Sequence, residues 1–476
     1  MIGDLKPYPA IKDSGVPWLG EVPEHWKVTR VKNLLRTVDV RSESGSEELL
    51  TVSSNRGVVP RRTANVTMFK AESYAGHKLC WPGDLVINSL WAWSRGLGVA
   101  QRHGIVSTAY GVYRPRDAGV LDPGFVHELV RSTPFSWELR VRSKGVWTSR
   151  LQLTDESFLG APFPLPPVTE QAAIVRFLDH ADRRIRRYIR AKQELIKLLE
   201  EQKQAIIHRA VTRGLDPDVR LKPSGVEWLG EVPEHWEVRR LKQVFRGIVG
   251  GSTTSSAETA FWDGDVVWVT PADISKSSRL RDSLRRITTD GLKSCSSELV
   301  PRGSIVVTSR APVGNVAIAE TDLCTNQGCK ALVATLAVVN PTFGFHVLTT
   351  LKAELQSLAT GTTFTEISTS RIGAVSMPLP PLREQAAIVR HLDKATASLT
   401  RAIEHAFREI DLLREYRTRL ISDLVTGKLD VRVAAAGLPA EMEELPEHEA
   451  YEELPDADAD QADEQEPAAE LHEVEA

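Results

Sequence analysis

Four cysteines are all that this 476-residue sequence contains, and Cys80, Cys295, Cys324 and Cys329 form no C-x-x-C pair and have no histidine at metal-ligand spacing. A disulfide scaffold and a zinc finger are thereby excluded, and buried thiols in a reducing compartment are expected. Long apolar runs are missing too: none approaches the roughly 20 residues that cross a bilayer. The opening Met1-Ile2-Gly3-Asp4-Leu5-Lys6 lacks the apolar stretch of a signal segment. A soluble, cytoplasmic protein follows.

Negative charge is abundant but badly distributed. The net charge of −4 comes from 59 basic and 63 acidic residues, and residues 441–476 hold sixteen of the acidic ones and no Lys or Arg. Without that stretch 47 acidic residues face 59 basic ones, an excess of about +12. An acidic segment with Pro, Ala and Gln between its charges cannot bury enough apolar surface to fold, so residues 433–476 are expected to be a disordered tail. It reads as a mimic of nucleic-acid charge, as a partner-binding arm, or as a solubilising extension.

What is present is repetition. Pro166-Pro167-Val168-Thr169-Glu170-Gln171-Ala172-Ala173-Ile174-Val175-Arg176 returns as Pro380-Pro381-Leu382-Arg383-Glu384-Gln385-Ala386-Ala387-Ile388-Val389-Arg390. Each copy opens about forty-five residues without Gly or Pro, rich in Ala, Leu, Glu, Lys and Arg, a composition that predicts one long helix. The preceding prolines and the glycines at Gly214 and Gly427 mark its ends. Steps of four and three place Ile174, Leu178, Ala181, Ile185, Tyr188, Lys192, Leu195, Leu199, Gln202 and Ile206 on one seam, as in a coiled coil. The second copy gives Ile388, Leu392, Ala395, Leu399, Ala402, Ala406, Glu409, Leu413, Tyr416 and Leu420. The small and polar members leave open two amphipathic helices packed on a core.

A second repeat lies upstream of each helix. Ser14 to Trp26, reading SGVPWLGEVPEHW, matches Ser224 to Trp236 at every position but one. With the helix signature following in the same order, the sequence resembles the specificity subunits of type I restriction-modification systems over about residues 14–432. The resemblance implies two target-recognition domains, each followed by a long helix, the helices pairing antiparallel and holding the domains at opposite ends. It also implies partners: double-stranded DNA, two modification (methyltransferase) subunits and restriction subunits. S-adenosylmethionine, ATP and Mg would be used by those partners and none bound by this chain. A tandem-domain transcription regulator is the alternative that shares the binding physics.

The expected fold is α+β: two mixed α/β recognition domains in tandem pseudo-repeat, each with its long helix, the helices forming an antiparallel coiled coil. The divisions are a loosely held lead at 1–13, a first domain at 14–164, a helix at 165–215, a linker at 216–223, a second domain at 224–378 and a helix at 379–432. Trp18 and Trp26, beside Leu19 and Val22, are expected to pack and not to stack on bases. Strands are predicted at 49–53, 84–88, 111–113, 265–269 and 304–308, with a short helix over 125–130.

Arginine grips phosphate or forks onto guanine, and loops can carry it into a groove. In the first domain the DNA-binding candidates are Arg56, Arg61, Arg62, Arg95, Lys144 and Arg150. In the second, Arg279 and Arg281 belong to a basic run suited to phosphate, and Arg310 follows a strand in a Ser-Arg pair like that at Ser94-Arg95. Asn326 and Gln327 carry the side chains that pair with adenine.

Catalytic signatures are wanting. No G-x-x-x-x-G-K-[ST] loop occurs, and Asn340-Pro341-Thr342-Phe343 lacks the second proline of the Asn-Pro-Pro-Phe methyltransferase motif and reads as a turn. Glu201-Gln202-Lys203, a nuclease-like string, lies mid-helix. No enzyme activity is expected of the chain itself.

Overall fold

The computed structural model describes residues 5–64, 73–145, 151–361 and 365–439. These fall into two compact units, Met1–Lys192 with Arg408–Ala476, and Gln193–Phe407. Each unit therefore combines part of the first long helix, Val168–Arg213, with part of the second, Leu382–Val425.

In the first unit a four-stranded antiparallel sheet runs in the order Leu35–Thr37, Tyr110–Pro115, Leu85–Asn88, Leu97–Val99. Its strands are short and rich in Val, Ile and Tyr, which fit a pleated, half-buried surface. Hairpin Leu50–Ser53 with Gly57–Pro60 and the pair Lys78–Cys80 with Gly104–Val106 flank it. Helix Pro123–Arg131 starts on Asp122, whose carboxylate accepts from the amides of Gly124 and Phe125, and Thr133–Arg142 follows it. Trp26, Phe125, Phe135, Phe158 and Phe163 form one core with Ile174, Phe177 and Leu178 of the first long helix and Leu420, Leu424 and Val425 of the second.

The second unit repeats the plan with a larger sheet. Its five strands run Phe245–Gly250, Cys329–Ala334, Ile305–Thr308, Val316–Ala319, Arg279–Leu280, only the last pair being parallel. A second sheet of three strands is built on Trp262–Val269. Trp236, Phe245, Phe343 and Met377 pack with Ile207 and Val211 of the first long helix and Ile388 and Leu392 of the second.

Within each unit the helix segments run antiparallel. In the first, Asp182 lies opposite Arg417, and the Lys192 ammonium is 2.7 Å from Glu409. In the second, Lys203 donates to the Thr400 hydroxyl at 2.9 Å. Lys192 and Glu409, both polar seam positions, thus satisfy each other. The seam itself departs from the strict four-three alternation: Ile189 and Ile196 are buried while Tyr188 and Leu195 are exposed, and Ile403 and Ile410 replace Ala402 and Glu409. A straight helix drifts about 20° per heptad against a 3.5-residue repeat, so over some forty-five residues the buried stripe moves by one position.

Three further expectations are corrected. The lead is not loose: Ile11–Asp13 pairs with Glu21–Pro23, Tyr8 is 5% exposed, and Lys6 bridges to Asp430. The tail does not begin at 433, because Arg432–Ala436 is a helical turn whose Ala435 joins the core. Residues 440–476 lie outside the described residues. Asn340 is a helix cap in place of a turn, its side-chain oxygen accepting from Thr342 and Phe343 at the start of Pro341–Thr350.

Candidate nucleic-acid interface

The repeated motifs prove to be the fasteners of each unit. Glu170 accepts from the Trp26 indole at 2.9 Å and from the Tyr8 hydroxyl at 2.5 Å, with His25 Nε2 2.7 Å from its other oxygen. In the second unit Glu384 accepts from Trp236 at 3.0 Å and meets His235 at 2.9 Å. The adjoining glutamine works toward the domain. Gln171 donates to the carbonyls of Val120 and Pro166 and accepts from the Asp122 amide, while Gln385 does the same with Val338, Pro380 and Asn340. One Glu-Gln pair therefore ties lead motif, recognition domain and helix together. Trp18 packs edge-on against Phe135, as expected of a packing residue.

Gly214 and Gly427 end the helices at positive φ, 74° and 78°. A side chain on Gly427 would run into Pro23 and Trp26. The helix end and the lead motif must touch there, which only glycine permits.

Arg95 and Arg310 occupy corresponding loops. Leu85–Asn88 lies between Leu97–Val99 and Tyr110–Pro115, and Ile305–Thr308 lies likewise between Val316–Ala319 and Cys329–Ala334. Each arginine sits in the hairpin loop leaving that central strand. Arg95 adopts a left-handed backbone, φ 61°, and donates to the Thr133 hydroxyl at 3.4 Å. Arg310 is held by Glu366 at 3.1 Å and is 45% exposed. The Arg310 loop touches the turn bearing Asn326 and Gln327, since the Ser309 and Arg310 amides both donate to Gly328. Asn326 accepts from the Gly328 amide at 2.9 Å and Gln327 from the Thr253 hydroxyl at 2.5 Å.

The remaining candidates are scattered. Arg56 lies in the turn of hairpin 50–60 and donates to the Thr63 carbonyl. Arg61 and Arg62 form a short turn after that hairpin, with Arg62 3.3 Å from Glu48 and 74% exposed. Exposed Lys144 bridges to Gln152, and Arg150 lies outside the described residues. Arg279 and Arg281 share Glu320, which they hold below the usual carboxylate range. The structure thus brings together Arg310, Asn326 and Gln327 in the second unit, and Arg56 and Arg95 around one cleft in the first.

One organising residue escaped the sequence. Arg131 donates to four carbonyls, those of Ser53, Ser54, Arg95 and Leu97, pinning hairpin 50–60 to the Arg95 loop. Beside it, His127 Nδ1 accepts from the Val99 amide. Burial, aided by the Arg131 charge, lowers the His127 pKa to about 3 and keeps the ring neutral. No motif announces such a role, which depends on loops brought in from 77 and 36 positions away. Among the described residues no cluster of His, Cys, Asp and Glu could hold a metal, and the cysteines are free thiols.

Comparison with known proteins places this geometry. The family model for the type I restriction modification DNA specificity domain matches residues 233–408. The MjaIX specificity subunit of Methanocaldococcus jannaschii is 36% identical over 160 residues, 33% of this chain and 37% of that protein. The putative MjaX specificity subunit of the same organism is 25% identical over 433 residues, 87% of this chain and 96% of its own length. A chain from a solved structure, described as the "Structural basis underlying complex assembly and conformational transition of the type I R-M system", shares the fold with a TM-score of 0.59. It is 20% identical and covers 86% of this chain and 99% of its own. Residues 233–408 thus match the type I restriction modification DNA specificity domain, and the chain is similar along most of its length to a putative type I specificity subunit. No helix among the described residues is long and apolar enough to cross a membrane.

Proposed function

We propose that this chain is a non-catalytic cytoplasmic subunit that reads a bipartite DNA target, one half with each recognition domain. The duplicated sheet, with an arginine in the loop after the same central strand in each copy, carries this reading. Loops of that kind can deliver a guanidinium to a base edge, while the surrounding basic residues hold phosphate. Arg56, Arg61, Arg62, Lys144 and Arg150 serve the first half-site; Arg279, Arg281, Asn326 and Gln327 serve the second. Two modification subunits would supply S-adenosylmethionine-dependent adenine methylation, and restriction subunits would supply ATP- and Mg-dependent cleavage.

Exchange of residues 27–160 for the equivalent region of a relative tests this. Methylation-aware sequencing of a host carrying the hybrid should show one half of the modified sequence changed and the other kept. A change in both halves would show that the domains do not read independently.

A further inference from the structure

The first unit contains a cleft of about 570 Å³ between the recognition domain and the two long helices. Seven arginines line it against three carboxylates, Glu128, Asp179 and Asp182, leaving an excess of four positive charges. The carboxylates do little to relieve it. Asp182 is shared by Arg186, at 2.6 Å, and Arg417, and burial shifts Glu128 and Asp179 toward their neutral forms. Arg131 spends its donors on four neutral carbonyls and Arg95 donates to a hydroxyl, so neither bond cancels a charge. A cleft with low-dielectric walls and one sign of charge concentrates the field of those groups and draws in anions.

An anionic segment lies at hand. The described chain ends at Pro439, where the carbonyls of Leu438 and Pro439 accept from Arg176 at 2.8 and 2.9 Å. Arg176 sits three residues before Asp179 and ten before Arg186 on the same helix, or roughly 4.5–15 Å at 1.5 Å per residue. Beyond Pro439 come Glu441, Glu443, Glu444, Glu447 and Glu449, in ten residues that extend to about 33–36 Å at most. These glutamates reach the cleft without help from the rest of the segment.

We propose that this cleft is the docking site of the chain's own acidic segment, residues 440–476, with the glutamates of 441–449 set against its arginines. Cleft volumes of this size hold a few side chains, so the first glutamates enter and the later carboxylates stay outside. Tethering supplies an effective concentration in the millimolar range, enough for weak carboxylate–guanidinium pairs to persist. The inference is independent of what the recognition domains read, and its test contains no DNA.

A fluorescent peptide spanning residues 440–460 is titrated with the full chain and with a full chain in which Glu441, Glu443, Glu444, Glu447 and Glu449 are changed to Gln. The neutralised chain should bind the peptide at least tenfold more tightly than the unaltered chain, whose own segment competes. That binding should weaken as salt rises, and at least tenfold on R183Q/R186Q. R102E, at the exposed rim of the cleft, gives the same answer should the helix variant fail to fold. The pair R279E/R281E in the second unit controls for bulk charge and should leave the affinity unchanged. Equal affinity of the two chains for the peptide would overturn the proposal, as would loss of binding on R279E/R281E with none on the cleft variants.

Discussion

The indole N–H of Trp26 reaches Glu170 across 144 positions of sequence at 2.9 Å, and Trp236 reaches Glu384 across 148 at 3.0 Å. The two carboxylates are not equally committed. Glu170 is 4% exposed and meets Tyr8, His25 and Trp26, whereas Glu384 is 29% exposed and, among the described residues, hydrogen-bonds His235 and Trp236. A buried donor left without its acceptor costs about 1–3 kcal/mol. Glu170→Ala should therefore destabilise the first unit by roughly 3 kcal/mol, and Glu384→Ala the second by roughly 1–2 kcal/mol. Urea unfolding followed by tryptophan fluorescence measures both; equal losses would contradict the asymmetry.

The second unit should weaken in mild acid. Burial lowers the His346 pKa to about 4, against the opposing pull of Asp393, and neither ring nitrogen has a hydrogen-bond partner among the described residues. An unfolded histidine titrates near 6.5. Between those values the unfolded chain binds the proton that the folded chain refuses, so stability falls as pH drops from about 6.5 to 4. The loss is about 3 kcal/mol at most by linkage. His346→Leu should remove that part of the slope, as read from urea midpoints at pH 7.5, 5.5 and 4.5.

Arg95→Ala and Arg310→Ala should each weaken binding to the modified sequence more than to random duplex, by roughly 1–3 kcal/mol if each reads a guanine. Competition binding with target and scrambled duplexes separates the two losses. Equal losses would make both residues phosphate contacts.

Affinity for duplex DNA should fall steeply between 50 and 200 mM salt, because residues 1–440 carry about twelve more basic than acidic side chains. A logarithmic plot of affinity against salt gives the slope. A flat response would remove the electrostatic contribution.

Much of the framework was legible in the sequence because it was written twice. Pro-Pro before the helices, Gly after them and the unbroken composition between bounded Val168–Arg213 and Leu382–Val425 closely. Short apolar runs located Leu85–Asn88 and Ile305–Thr308, since period-two strands stand out between turn residues. The seam was less legible: Tyr188 is as good a seam residue as Ile189 on paper, and only the accumulated drift of a straight helix decides between them. Least legible was the candidate site. Arg131 sits in an amphipathic helix like any surface arginine, and its four carbonyl partners exist only after Ser53, Ser54, Arg95 and Leu97 have been folded around it.

Each compact unit takes helix segments from both repeats: Leu420, Leu424 and Val425 complete the core around Trp26, and Ile207 and Val211 complete the one around Trp236. The stretch that was copied is thus not the stretch that folds. A cut in the linker at 216–223 would yield two fragments that each correspond to one ancestral copy, yet each would lack the helix that closes its apolar core. Recombination between relatives faces the same constraint. Crossovers that exchange a recognition domain alone leave both cores closed, whereas crossovers that exchange a whole repeat must bring a helix able to seal its neighbour's core as well as its own.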